Sequence, residues 1–139
     1  MSSGMVFERN KLIRFHHCDP AGIVFYPQYF ILFHELVEDW FNYGLDRNYA
    51  RFVGASRLGI PMAHVECDFK IPSKIGDILT LRLAVTRIGN TSMTLRVEGR
   101  AEGESRLNAD LTIVLASMET LKPTPIPPDL RRQFAQYLV

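Results

Sequence analysis

Four side chains capable of chemistry stand in a row at His16-His17-Cys18-Asp19, and a Pro20-Ala21-Gly22 turn follows at once. Three chemistries compete for them. As metal ligands, they could be joined by His34 and Glu38, one helical turn apart. Consecutive residues on an extended chain point to opposite faces, so at most alternate members share an ion. The stretch His34 to Glu38, HELVE, has the His-Glu opening of a zinc-protease helix and lacks the second histidine. As a nucleophile, Cys18 would need activation by His17, but adjacent side chains diverge. A cysteine is more often a small buried hydrophobe. As a lone carboxylate, Asp19 has a plain structural role available, since an Asp before Pro-Ala-Gly shapes turns. Its neighbours suggest more. Ile23, Val24, Phe25 and Tyr26 are unusually apolar for a loop and run into a helix start, where free N–H groups and the dipole favour negative charge. A carboxylate beside an apolar crevice and a helix N-terminus is the minimum equipment for acyl transfer.

The elements that must hold these residues follow from periodicity. Met5 to Phe15 reads as a first strand, ended by Cys18-Asp19-Pro20-Ala21-Gly22. Pro27 suits the first position of a helix, where its missing N–H has no partner to lose. Tyr29, Phe33, Leu36, Val37, Trp40 and Phe41 recur at helical spacing, and Gly44 is a natural stop. A polar, Arg-rich connector spans Asp46 to Arg57. The period then becomes two, around Val65 to Ile71, Leu79 to Val85, Met93 to Val97 and Leu107 to Leu115. Short turns at Gly89-Asn90 and Gly103-Glu104 make the last three strands an antiparallel meander. A Pro-rich tail leads into a short helix opened by Pro128 and Asp129. One broad-striped helix and five strands predict an α+β domain in which the sheet curls around the helix.

Gross properties narrow the class. The chain has 139 residues, 47% of them hydrophobic, the size of one domain over residues 1–139 with a real core. Residues 1–4 read as a flexible leader. With 16 basic against 15 acidic residues, bulk binding to nucleic acid or a membrane surface is not expected. The most apolar segment, Tyr26 to Phe41, is too short and too charged to span a bilayer. Two cysteines, Cys18 and Cys67, match no disulfide framework, which points to a reduced, cytoplasmic protein.

At Cys18 to Phe30, CDPAGIVFYPQYF, the sequence resembles the 4-hydroxybenzoyl-CoA thioesterase family of hot-dog-fold proteins. Val65 to Leu81 and Val85 to Glu98 resemble its strand and hairpin segments, so the resemblance spans nearly the whole chain in order. It implies a curved five-stranded antiparallel sheet wrapped around a long central helix. It also implies homodimers assembling to homotetramers, with active sites between subunits. The activity implied is hydrolysis of a small aromatic or short-chain acyl-CoA, with the CoA thioester as substrate and no cofactor or metal. Delivery of the acyl group on acyl carrier protein, or thioester binding without hydrolysis, are the alternatives. Carried over by residue, Asp19 attacks the thioester or activates a water. The Tyr26 N–H polarises the carbonyl, Gly22 lets the backbone approach closely, and Phe25 lines the acyl pocket. Where hydroxybenzoyl-specific members carry an acid on the central helix, this sequence has His34. Where some members carry a basic run that holds the nucleotide, it has a neutral tip with only Arg87 nearby. Arg96, Arg100 and Lys122 are further candidates for the phosphates.

Overall fold

The structure is a computed structural model that describes residues 4–139. Its main sheet has five antiparallel strands in the order β1 (Phe7–Leu12), β4 (Ile78–Ile88), β5 (Ser92–Ala101), β6 (Glu104–Val114) and β3 (Met62–Phe69). The meander β4-β5-β6 is as the sequence predicts. The second hairpin turns on Glu102 and Gly103, both at positive φ, one residue earlier than expected. Two positive-φ residues match the right-handed twist of the flanking strands.

Alternation puts one face of each central strand inward. Leu79, Leu81, Leu83 and Val85 of β4 are fully enclosed, as are Leu95 and Val97 of β5 and Leu107 and Leu111 of β6. Against them lies helix α1 (Pro27–Asp39), which opens at Pro27 as anticipated. Its buried residues Tyr29, Leu32, Phe33, Leu36 and Val37 continue into Trp40 and Phe41. That spacing makes one stripe down the helix. Phe33 has no exposed surface, so truncating it to alanine costs about 3–5 kcal/mol.

Three local departures have physical causes. The helix continues beyond Asp39 as one wide turn over Trp40–Gly44, where the Leu45 N–H reaches back five residues to Trp40 O at 2.8 Å. The polar connector holds a short helix, α2 (Tyr49–Gly54), capped by Asn48, whose side chain accepts from the Arg51 N–H. A second, two-stranded sheet pairs β2 (Leu58–Gly59) with β7 (Ala116–Ser117), both too short to show a period. The C-terminal helix α3 (Pro128–Ala135) stacks Phe134 on Trp40 at 5.4 Å between ring centres. Residues 1–3 of the expected leader lie outside the described residues. Gly4 belongs to the fold instead, since a Cβ there would run into the backbone of Leu138.

Candidate active site

β1 ends at Leu12, three residues short of the strand expected, because the chain turns through a 3-10 turn at Phe15–His17. The His17 ring is buried there and its Nδ1 accepts the Arg14 N–H at 2.8 Å. Burial first, then the neighbouring His16, hold His17 below the ordinary histidine range, against a raising pull from Glu35. Beyond it a miniature hairpin forms. Cys18 pairs with Val24, the Asp19 N–H donates to Ile23 O at 3.0 Å, and the Gly22 N–H donates to Asp19 O at 2.9 Å. Asp, Pro and Gly hold the first, second and fourth places that a type I turn favours, and Gly22 takes a φ of +81°. A Cβ at Gly22 would meet nothing within 4 Å. Glycine is therefore required for its backbone angle, and the close backbone approach expected of it is not found in this chain.

This turn sets Asp19. Its Oδ1 accepts the Ala21 N–H at 2.8 Å, while Oδ2 has no partner among the described residues. The side chain is half-buried. So Asp19 does shape the turn, with one oxygen, and keeps the other available. The hairpin's second arm feeds α1 directly. The Phe25 N–H donates to His17 O, and the Gln28 and Tyr29 N–H groups bend back to Phe25 O and Tyr26 O. Pro27 has no N–H to offer. The Tyr26 N–H, at the positive end of the helix, has no acceptor among the described residues.

Beside this entrance lies an apolar cleft of about 330 Å³. One wall is Ile23, Val24, Tyr26 and Tyr29; the other is the chain leaving β3, Phe69 to Pro72. The Tyr29 and Phe69 rings sit 5.2 Å apart. The alternation predicted through Ile71 stops at Phe69, because the Lys70 and Ile71 N–H groups both turn to Arg106 O. That break opens the cleft. Tyr29, Phe69 and Lys70 were not singled out as site residues from sequence. The one available signal was Pro72, which cannot extend the ladder.

Other sequence candidates fall elsewhere. Phe25 is half-exposed and outside the cleft, since its amide is turned toward His17. His34 sits two turns along α1 on the exposed face, bonded to Glu38 Oε1 at 3.0 Å, and does not line the cleft. Arg87 is nine residues along β4 from Ile78, about 30 Å at the usual strand rise, so the site end of its own chain is out of reach. Arg96 pairs with Asp110 at 3.3 Å, and Arg100 donates to Gly103 O. The Cys18 Sγ donates to Arg14 O at 3.6 Å. Among the described residues, no three His, Cys, Asp or Glu side chains converge as a metal site would require.

The sequence model of the thioesterase-like superfamily matches residues 13–134. The chain belongs to this superfamily. This thioesterase-like protein is 28% identical over 125 residues to the 1,4-dihydroxy-2-naphthoyl-CoA hydrolase of Crocosphaera subtropica, an overlap of 89% of this chain and 85% of the relative. It is 27% identical over 130 residues to the protein of the same name from Prochlorococcus marinus, covering 88% and 85%. Its backbone matches a gentisyl-coenzyme A thioesterase with a TM-score of 0.82 at 24% identity, over 94% of this chain and 99% of that one. For a thioesterase-superfamily structure from Jannaschia sp. CCS1 the TM-score is 0.89 at 24% identity, over 100% and 99%. The architecture is the hot-dog fold that the sequence predicts.

Proposed function

We propose that this protein is an acyl-CoA thioesterase acting on a small aromatic acyl-CoA. The observation that carries the reading is Asp19, one oxygen fixed and one free, on the hairpin that feeds the start of α1, where the unpartnered amide of Tyr26 adjoins an apolar cleft. In the proposed reaction Asp19 takes a proton from a water whose oxygen attacks the thioester carbonyl. The Tyr26 N–H and the helix end receive the developing oxyanion. Collapse breaks the carbon–sulfur bond, and the departing thiolate takes up the proton as the free acid forms. These steps draw on water, a carboxylate and a backbone amide, and call for no cofactor.

The aromatic acyl group is favoured by the exposed Tyr26 and Phe69 rings, which offer flat, apolar surface on the two walls of the cleft, Phe69 being backed by the buried Tyr29. The relatives point the same way, since one is named for a dihydroxynaphthoyl and another for a gentisyl thioester. A hydroxylated aroyl-CoA, with 4-hydroxybenzoyl-CoA among the smallest, is the substrate class to test first. Among the described residues, Lys70 is the one charged residue lining the cleft, which makes it a better candidate than Arg87 for a CoA phosphate within the chain.

We propose that the site is completed by a second subunit, in a homodimer that pairs to a homotetramer. β3 lies at the sheet edge with unpaired backbone groups, and Phe25, Tyr26, Phe30 and Ile31 expose apolar surface around the helix entrance. Cys18 and Cys67 are free thiols, which suits the cytoplasmic setting proposed. No helix among the described residues is long and apolar enough to cross a membrane.

A panel of aroyl-CoA and short acyl-CoA substrates tests the activity, with Asp19→Asn beside the parent enzyme. The expected result is turnover of at least one aroyl-CoA and a fall in kcat of at least about 100-fold in a folded Asp19→Asn protein. Near-normal turnover by that variant rejects the mechanism.

A further inference from the structure

We propose that Arg106 is a positioning residue for the Asp19 turn, acting through the buried turn at Ser73 to Asp77. The inference rests on the catalytic role proposed for Asp19. Arg106 lies on β6, only 3% exposed. Its Nη1 donates to Pro72 O at 3.2 Å, Ser73 Oγ at 3.2 Å and Asp77 Oδ2 at 2.9 Å, while Nη2 meets the Glu104 carboxylate at 3.2 Å. Ser73 and Asp77 are themselves buried, and Asp77 Oδ2 also accepts the Lys74 N–H at 2.9 Å. One guanidinium thus fixes two points of the five-residue turn and the carbonyl of the residue before it.

The turn in turn grips the catalytic segment at both ends. The Val24 N–H donates to Ser73 O at 2.9 Å and the Ile75 N–H to Gly22 O at 3.3 Å, on either side of the Ile23–Lys74 pair. At the other end the Gly76 N–H donates to Ile13 O and the Ile13 N–H to Asp77 O, each at 2.8 Å. The segment from Ile13 to Val24, which carries Asp19, is therefore clamped by backbone bonds to a turn that Arg106 holds from below. Without that anchor, the miniature hairpin keeps only the Cys18–Val24 bridge and its own turn bonds.

Arg106 holds the cleft wall by different atoms. Its carbonyl, not its side chain, accepts the Lys70 and Ile71 N–H groups. Replacing the side chain leaves those two wall bonds in place and frees the turn together with its one side-chain bond to the wall, at Pro72 O. The effect falls on kcat, through the placing of Asp19, more than on KM.

The test compares Arg106→Lys and the double variant Arg106→Met with Asp77→Asn, using an aroyl-CoA that the parent enzyme hydrolyses. Replacing both members of a buried ion pair avoids leaving one charge buried without its partner, the costly case. The Asp77→Asn change also keeps a side-chain oxygen that can accept the Lys74 N–H. In a double variant with a melting temperature near the parent's, kcat is expected to fall about 10- to 100-fold, the scale for a catalytic group displaced by about 1 Å, with KM little changed. Arg106→Lys, which keeps the charge and one bond to Asp77, should recover part of that loss. A merely structural role would lower the melting temperature and leave kcat of the folded enzyme intact. Parent-level kcat in either folded variant overturns the inference, and if the double variant does not fold, Arg106→Lys decides alone. Loss of activity in Asp19→Asn with full kcat in the Arg106 variants removes this inference only. Full kcat in Asp19→Asn removes the mechanism and the inference together.

Discussion

Replacing Gly22 by alanine separates two things that the turn does. Gly22 has a φ of +81°, and Gly103, in the β5–β6 turn, has a φ of +74°. At both, an added Cβ meets nothing within 4 Å, so neither substitution creates a clash. The cost is the backbone alone, about 1–2 kcal/mol for an L-residue in the left-handed region. For a chain of 139 residues the unfolding entropy is about 0.29 kcal/mol per kelvin, so each variant should melt about 3–7 °C lower. Thermal unfolding followed by circular dichroism should show the two variants destabilised alike. Their activities should differ. Relief of strain at residue 22 loosens the Gly22 N–H bond to Asp19 O and the Asp19 N–H bond to Ile23 O. Moving Asp19 by about 1 Å would lower kcat by up to about 100-fold. Gly103→Ala leaves the Asp19 turn untouched and should retain kcat. Equal melting losses with no kcat loss in Gly22→Ala would refute the link between turn and chemistry. An undiminished melting temperature would refute the backbone argument itself.

Cys18→Ser should retain most activity, because the thiol only donates to Arg14 O; inactivation of a folded Cys18→Ser protein, measured by steady-state kinetics, would revive a nucleophilic cysteine. The pH dependence of stability should carry a His17 contribution. Its folded pKa lies below the ordinary value near 6.5, so the unfolded chain binds more protons in that window. Stability from this group is therefore complete above about pH 6.5 and is lost as pH falls from there toward the folded value. His17→Asn, whose Oδ1 can replace Nδ1 as acceptor for the Arg14 N–H, should flatten melting temperature between about pH 7 and 5; an unchanged slope counts against burial of the neutral ring.

Much of the candidate site was legible because its logic is local. Asp19, Pro20 and Gly22 occupy the places of a turn, Pro27 marks the helix start, and four residues between them are too apolar for a solvent-exposed loop. Those signals depend on backbone angles and missing donors, which neighbouring residues decide. The helix stripe and the period-two strands were legible for the same reason, since both faces are written in spacing. Tertiary structure alone decided the rest. Phe69 and Lys70 became cleft residues because the β3 ladder breaks onto Arg106 O, a contact between segments about 36 residues apart. Arg87 and His34 left the cleft because strand direction and helix rotation carry them away from it. The Arg106–Asp77 pair had no mark in sequence at all. A strand arginine reads as a solvated charge until the fold encloses it, and the three acceptors gathered on one distant segment, with the Glu104 carboxylate beside them, explain how it can be buried.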